Sequence, residues 1–232
     1  MLLIFISVFP VVVIMLYIYF RDKYEKEPFG LLMKAFFGGV LSAVATILFM
    51  APFSGLLPDT NSTYWQALIT AFAGAAIPEE IFKFLFLYWI VWKNRNFNEY
   101  FDGIVYAVFV SLGFACLENI LYVTEHGMGV GIARGIFAVP GHALDGVIMG
   151  YFFSLARFMP TRRKEFLFKS LLYAILAHGI YDFLLFYSSG KSETNTVLSL
   201  LLILVFLVFI VYLWRLGFRK IKKHVDASVF KQ

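Results

Sequence analysis

Seven long apolar runs dominate the chain, at about residues 1–20, 29–53, 64–92, 103–125, 134–158, 166–189 and 195–217. A helix needs about 20 mostly apolar residues to cross the hydrocarbon core of a bilayer, and each run is long enough. The runs are continuous rather than alternating apolar with polar, so transmembrane helices are expected and a closed β-barrel is not. The expected fold is an all-α polytopic bundle of about seven spans, with residues 1–232 forming one membrane-embedded domain. Composition agrees, at 61% hydrophobic and 15% charged residues. A soluble domain averages about 45–50% and about 25% respectively, and a surplus this large cannot be hidden in one soluble core.

The formal net charge is +5, but the positive residues sit between the apolar runs. They form no basic stripe with interleaved aromatics, so the lipid bilayer is an expected partner and nucleic acid is not. Their distribution alternates. Arg21, Lys23 and Lys26, then Lys93 and Arg95, then Arg157, Arg162, Arg163 and Lys164, then Arg215 to Lys231 fall on one side. Only Arg134 and Lys191 fall on the other. The positive-inside rule then places the N-terminus outside and the C-terminus in the cytoplasm. The first run precedes its positive charges and lacks a small-residue cleavage site, so it reads as an uncleaved span. The single cysteine, Cys116, lies in an apolar run, which excludes a disulfide framework and a cysteine metal site.

Ionisable residues deep in a span cost about 2.5–3.5 kcal/mol each on insertion scales, yet this chain keeps several. The third run carries Glu79, Glu80 and Lys83, just after Pro78. The fourth carries Glu118 and Asn119, the fifth His142 and Asp145, the sixth His178 and Asp182. Pro78 removes the helical bond to the Gly74 carbonyl and should kink its helix. With the alternating topology, Glu79, Glu118, His142 and His178 all fall in the central to outer part of the membrane. Four helices can therefore bring them to one cavity.

Carboxylates and imidazoles together suit water activation. A buried Glu can act as general base, and a His can stabilise an oxyanion or protonate a leaving amine. An Asp one turn after each His, Asp145 and Asp182, can orient the ring. Simpler roles compete. Glu79 can pair with Lys83 four residues on, and Glu118 can be a hydrogen-bonded neutral acid. No phosphate-binding glycine loop and no HExxH zinc motif occurs, and Ser111 has no base one turn away. A metal site assembled from Glu and His on separate helices stays open. So does a proton-coupled transporter, since buried Glu, His and Asp also build proton relays. No inverted repeat supports that reading.

Four segments carry a more specific resemblance: PEEIFKF at 78–84, DGIVYAVFVSLGFACLENILY at 102–122, HALDGVIMG at 142–150 and HGIYDF at 178–183. With RDKYEKEP at 21–28, they resemble, in order and spacing, the PrsW family of bacterial membrane proteases. The resemblance implies a multi-pass protease of the bacterial cell membrane. Its substrate would be a single-span anti-sigma factor, cleaved in its extracytoplasmic part (site-1 cleavage). The cut would lead to release of an extracytoplasmic-function sigma factor under envelope stress. Carried over by motif, Glu79 and Glu80 match the glutamate pair, His142 and His178 the two histidines, and Glu118 and Asn119 the ENILY segment. These six are the expected catalytic residues. Lys83 stands one residue earlier than the arginine of the wider superfamily, which includes the CAAX-processing proteases. A CAAX-type protease on prenylated peptides is thus the alternative enzyme. The superfamily leans towards a metal-independent glutamate mechanism, so no cofactor is expected. Zinc held by His142, His178 and Glu80 is the alternative.

Overall fold

The computed structural model describes residues 2–58 and 60–230. Nine α-helices and three tighter or wider helical turns follow one another, with no strand among the described residues. Helix α1 (Leu2–Arg21) and α2 (Phe29–Met50) lead into a 3₁₀ segment, Ala51–Leu56. Then come α3 (Tyr64–Ile69), a π-helical segment (Thr70–Ala76) and α4 (Ile77–Val91). Helices α5 (Tyr100–His126), α6 (Met128–Ile136), α7 (Ala138–Phe158), α8 (Arg163–Lys191) and α9 (Thr196–Asp226) complete the chain. Six helical stretches, with α6 and α7 counted together, are long and apolar enough to cross a membrane. The composite α3–π–α4 stretch runs between the same two ends of the bundle and makes the seventh.

Helix α5 is the axis of the bundle. Every residue from Phe101 to Cys116 is buried, because α1, α2 and α7 surround it. Close approach depends on small residues, as is usual for helices packed in a bilayer. A Cβ added at Gly113 would lie 1.9 Å from the Phe36 carbonyl oxygen of α2, and one at Gly150 of α7 2.3 Å from the Gly103 carbonyl oxygen. The outermost helices, α1 and α9, expose apolar side chains such as Phe9, Leu200, Leu204 and Val208, which is the surface a lipid phase requires.

Two expectations need correction. The run at 134–158 is not one helix: it breaks at Phe137 (φ −114°, ψ −55°), and α6 is a separate short helix. Pro140 explains the break. In a continuous helix its ring would clash with the Ile136 carbonyl, whereas in the first turn of α7 it costs little. The Pro78 kink takes the form of a π-turn. The Ile77 amide bonds the Phe72 carbonyl, five residues back, and the widened turn accommodates the proline that follows. At the start of this stretch Thr63 and Gln66 form a capping box, fixing the entry to α3.

The connection at residues 22–28, the segment 92–99 and the end of α9 meet at one end of the bundle. Asn98 Nδ2 donates to Glu25 Oε1 at 3.2 Å and the Ser228 hydroxyl to Glu99. The His224 ring stacks on Tyr151 with centroids 4.3 Å apart. The described members of all four groups of basic residues border this end. The opposite end holds α6 and the 191–195 turn.

Candidate active site

The π-turn ends where the acidic pair begins, so Glu79 and Glu80 project from the first turn of α4 into the bundle. Lys83, one turn on, joins them. Its ammonium donates to Glu80 Oε1 at 2.7 Å and to Glu79 Oε2 at 3.3 Å. The sequence reading that Lys83 pairs with one carboxylate is therefore incomplete, since it bridges both. The same ammonium lies 3.1 Å from His142 Nδ1 on α7 and 4.1 Å from the centroid of the Phe114 ring on α5. Glu80 is fully buried and Lys83 is 1% exposed, so neither charge could persist without the other.

The histidines meet at right angles, with ring centroids 5.2 Å apart. An ammonium can only donate, so His142 Nδ1 accepts and its proton sits on Nε2. That nitrogen is 2.8 Å from Glu118 Oε2 on α5. On α8, His178 Nδ1 is 2.8 Å from Glu80 Oε1 and its Nε2 3.2 Å from Asp182 Oδ2. Asp182 thus orients His178, as expected. Asp145 makes no such bond to His142; Glu118 occupies that position. The difference is register: a residue four on sits almost directly above on a helix, whereas one three on lies to the side.

Arg134, which the charge count treats as a loop residue, belongs to this site. From α6 it donates to Glu118 Oε2 at 2.7 Å and to Asn119 Oδ1 at 3.2 Å. Its guanidinium stacks over Tyr122, 4.0 Å from the ring centroid. Asn119 in turn donates to the Ser7 carbonyl of α1 at 2.9 Å, so it ties helices together and is turned away from the histidines. The only sequence signal for Arg134 was an isolated arginine on the charge-poor side, near the start of an apolar run.

A cavity of about 470 Å³ opens on this constellation. Glu79, Glu118, His142, Asp145, His178, Asp182 and Arg134 are in its polar lining, and apolar side chains of the π-turn and of α6 to α9 complete the wall. Glu80 and Asn119 stand behind the wall rather than in it. The structure therefore brings all six expected residues into one connected network, Asn119 through Arg134, with four of them at the cavity surface.

The donor set fits a metal ion. One ligand atom each from Glu79, Glu80, His142 and His178 lie within 4.8 Å of one another, and Glu80 Oε2 is buried with no hydrogen-bond partner. Nitrogen and carboxylate donors are those zinc takes at catalytic sites.

Residues 27–214 match the model of the "PrsW family intramembrane metalloprotease". Protease PrsW of Geobacillus kaustophilus (strain HTA426) is 36% identical over 94% of this chain and 89% of its own length. Protease PrsW of Bacillus subtilis (strain 168) is 36% identical over 96% and 95%, and that of Clostridioides difficile (strain 630) 31% over 96% and 91%. No solved structure matches the chain. The buried Glu–Lys–His network on four helices, and a match along nearly the whole chain, establish that this protein belongs to the PrsW family of intramembrane metalloproteases, multi-pass proteases of the bacterial membrane.

Proposed function

We propose that the protein is a site-1 endopeptidase that cuts a single-span anti-sigma factor on the extracytoplasmic side of the membrane, with Glu79 as the general base. The observation that carries this is the asymmetry of the acidic pair. Glu79 lines the cavity, whereas Glu80 is fully buried against Lys83 and His178. Glu79 alone can meet water and substrate together.

In this reading Glu79 takes a proton from a water in the cavity, and the hydroxide formed attacks the scissile carbonyl. The guanidinium of Arg134 borders the same cavity and can donate to the developing oxyanion, while the Nε2–H of His142 stays on Glu118. Glu79 then returns the proton to the leaving amine, so the residues end as they began. Lys83 holds the carboxylate pair in place, and Glu80 with Asp182 holds His178. A metal held by Glu80, His142 and His178 would supply Lewis-acid polarisation and a more acidic water.

The side of cleavage follows from depth. Glu118 and Arg134 lie towards the end of the bundle that carries few basic residues, which the positive-inside rule assigns to the outside. The cavity wall on α9 includes Ile203 and Leu207, both exposed on the outer surface of the bundle. A helical substrate thus has a lateral route from the lipid. The test is co-reconstitution with a single-span anti-sigma factor and with a prenylated CAAX peptide, the products being located by mass spectrometry. Cleavage of the former outside its span, lost in Glu79→Gln, is expected. Cleavage of the prenylated peptide alone, or ion flux without cleavage, would overturn the reading.

A further inference from the structure

One acid of the cavity stands outside the network described above. Asp145 lies on α7 one turn beyond His142, lines the cavity and is 4% exposed. Among the described residues it forms no hydrogen bond and no ion pair, and neither of its oxygens is walled off from the cavity. Every other charged side chain of the lining holds at least one such bond. Glu79 accepts from Lys83, Glu118 accepts from Arg134 and His142, and His178 bonds Glu80 and Asp182. Lys83 and His178 act on Asp145 only as charges at longer range. A carboxyl so buried and unpaired destabilises the fold, which points outside the chain for its partner.

We propose that Asp145 is a substrate-positioning residue whose carboxyl accepts a backbone N–H of the polypeptide being cut. The inference deepens the reading above and rests on it in one respect, that the substrate is cut in this cavity. A single-span substrate arrives from the lipid as a helix, with its amides bonded within it. The scissile bond becomes accessible when that helix opens locally, which frees N–H groups in an apolar setting where an unmade bond is costly. Much of the cavity wall is apolar, so a free acceptor there replaces the bond that the helix gives up. Asp145 can serve in either protonation state, since a carboxyl keeps an accepting oxygen in both.

The place of Asp145 on α7 indicates which amide it holds. Three residues of helix put it about 4.5 Å closer to the basic end of the bundle than His142. An extended chain advances about 3.3–3.6 Å per residue. The amide is therefore one or two residues from the scissile bond, on the side towards the basic end. A contact with the backbone reads no side chain, so it suits any sequence that unwinds at this point.

The probe is a synthetic single-span peptide carrying the cut site of an anti-sigma factor, in lipid nanodiscs. Its backbone amides around the cut are replaced one at a time by esters, which lack the N–H. In the wild-type protein one ester, one or two residues from the cut, is expected to raise KM about tenfold or more with kcat little changed. That is the signature of losing a charge-assisted bond made equally in the ground and transition states. Asp145→Leu should raise KM for the all-amide peptide by a similar factor and be indifferent to that ester. Asp145→Asn keeps an accepting oxygen and should fall between. The melting temperature of Asp145→Leu should be unchanged or higher, because an unpaired buried acid is removed. The same esters read as binding to Glu79→Gln protein give the answer without cleavage, so a failure of Glu79 as base leaves this test standing. No position-specific ester penalty in the wild-type protein overturns the proposal whether or not the Asp145 variants fold. So does an ester penalty that persists in Asp145→Leu, or a loss confined to kcat, which would place Asp145 in the chemistry. Asp145→Asn as damaging as Asp145→Leu, with a preference for peptides carrying Lys or Arg near the cut, overturns it in favour of a subsite for a cationic side chain.

Discussion

His142 and Glu118 are joined Nε2 to Oε2 at 2.8 Å, although they lie on different helices with the break at Phe137 between them. Because the Lys83 ammonium occupies Nδ1, Glu118 fixes the direction in which the His142 proton points. Arg134 approaches the same Glu118 oxygen at 2.7 Å. One carboxylate oxygen thus ties the α5, α6 and α7 parts of the site together, while Lys83 and Glu80 tie in α4 and α8.

The two glutamates should separate by role. Glu79→Gln removes the proposed base and is expected to lower kcat by about 10²–10⁴-fold with little change in KM. Glu80→Gln removes the partner of Lys83 and His178. It should also lower activity, but together with protein stability, since a buried ammonium then loses its main counter-charge. Cleavage kinetics and thermal melting of the two purified variants check this. Full activity in Glu79→Gln would exclude that residue as base.

Arg134→Ala should reduce cleavage through the orientation of Glu118 and His142. A hydrogen bond to a charged group contributes about 1.5–3 kcal/mol, so a destabilisation of about that size is expected. Arg134→Lys keeps the charge but loses the paired bonds to Glu118 and Asn119, and should recover only part of the activity. Activity of both variants with their melting curves tests this. An unchanged rate in Arg134→Ala would leave the residue a purely topological charge.

Membrane orientation is testable by labelling. The charge pattern places Lys191 outside and Arg163 inside, and the structure puts these residues at opposite ends of α8. With buried Cys116 replaced, a cysteine at 191 should react with a membrane-impermeant maleimide in intact cells, and one at 163 only after lysis. The reverse pattern would invert the topology.

Much of the site was legible because ionisable residues in apolar runs stand out. Glu79, Glu118, His142 and His178 are anomalies before any fold is known, and equal depth is enough to suggest that they converge. Arg134 was not legible, because at the edge of a run an arginine is an ordinary topological charge. The partner of His142 was misread, because Asp145 is near in sequence while Glu118 arrives from another helix. Pro78 announced a disturbed helix, but a π-turn and a kink leave the same mark in a sequence. The break at Phe137 had a signal in Pro140, masked by the unbroken hydrophobicity around it.

Metal dependence is the sharpest remaining test of the chemistry. The sequence alone favours a metal-independent glutamate, with zinc as the alternative. The spatial donor set and the family's metalloprotease description now weigh towards a metal. Glu80, His142 and His178 provide three donors, the usual number at a catalytic zinc, with Glu80 Oε2 unpartnered and the His142 Nδ1 lone pair released once the Lys83 ammonium moves off it. Prolonged treatment with a strong chelator is therefore expected to abolish cleavage, and stoichiometric zinc to restore it, with metal content measured in parallel. His178→Asn, which removes one of the three donors, should lower metal affinity by more than the about 10–100-fold seen when a site loses only supporting contacts. Glu79→Gln should keep the metal while losing activity. Full activity in protein proven free of metal would return the mechanism to Glu79 acting with Lys83 and the two histidines alone.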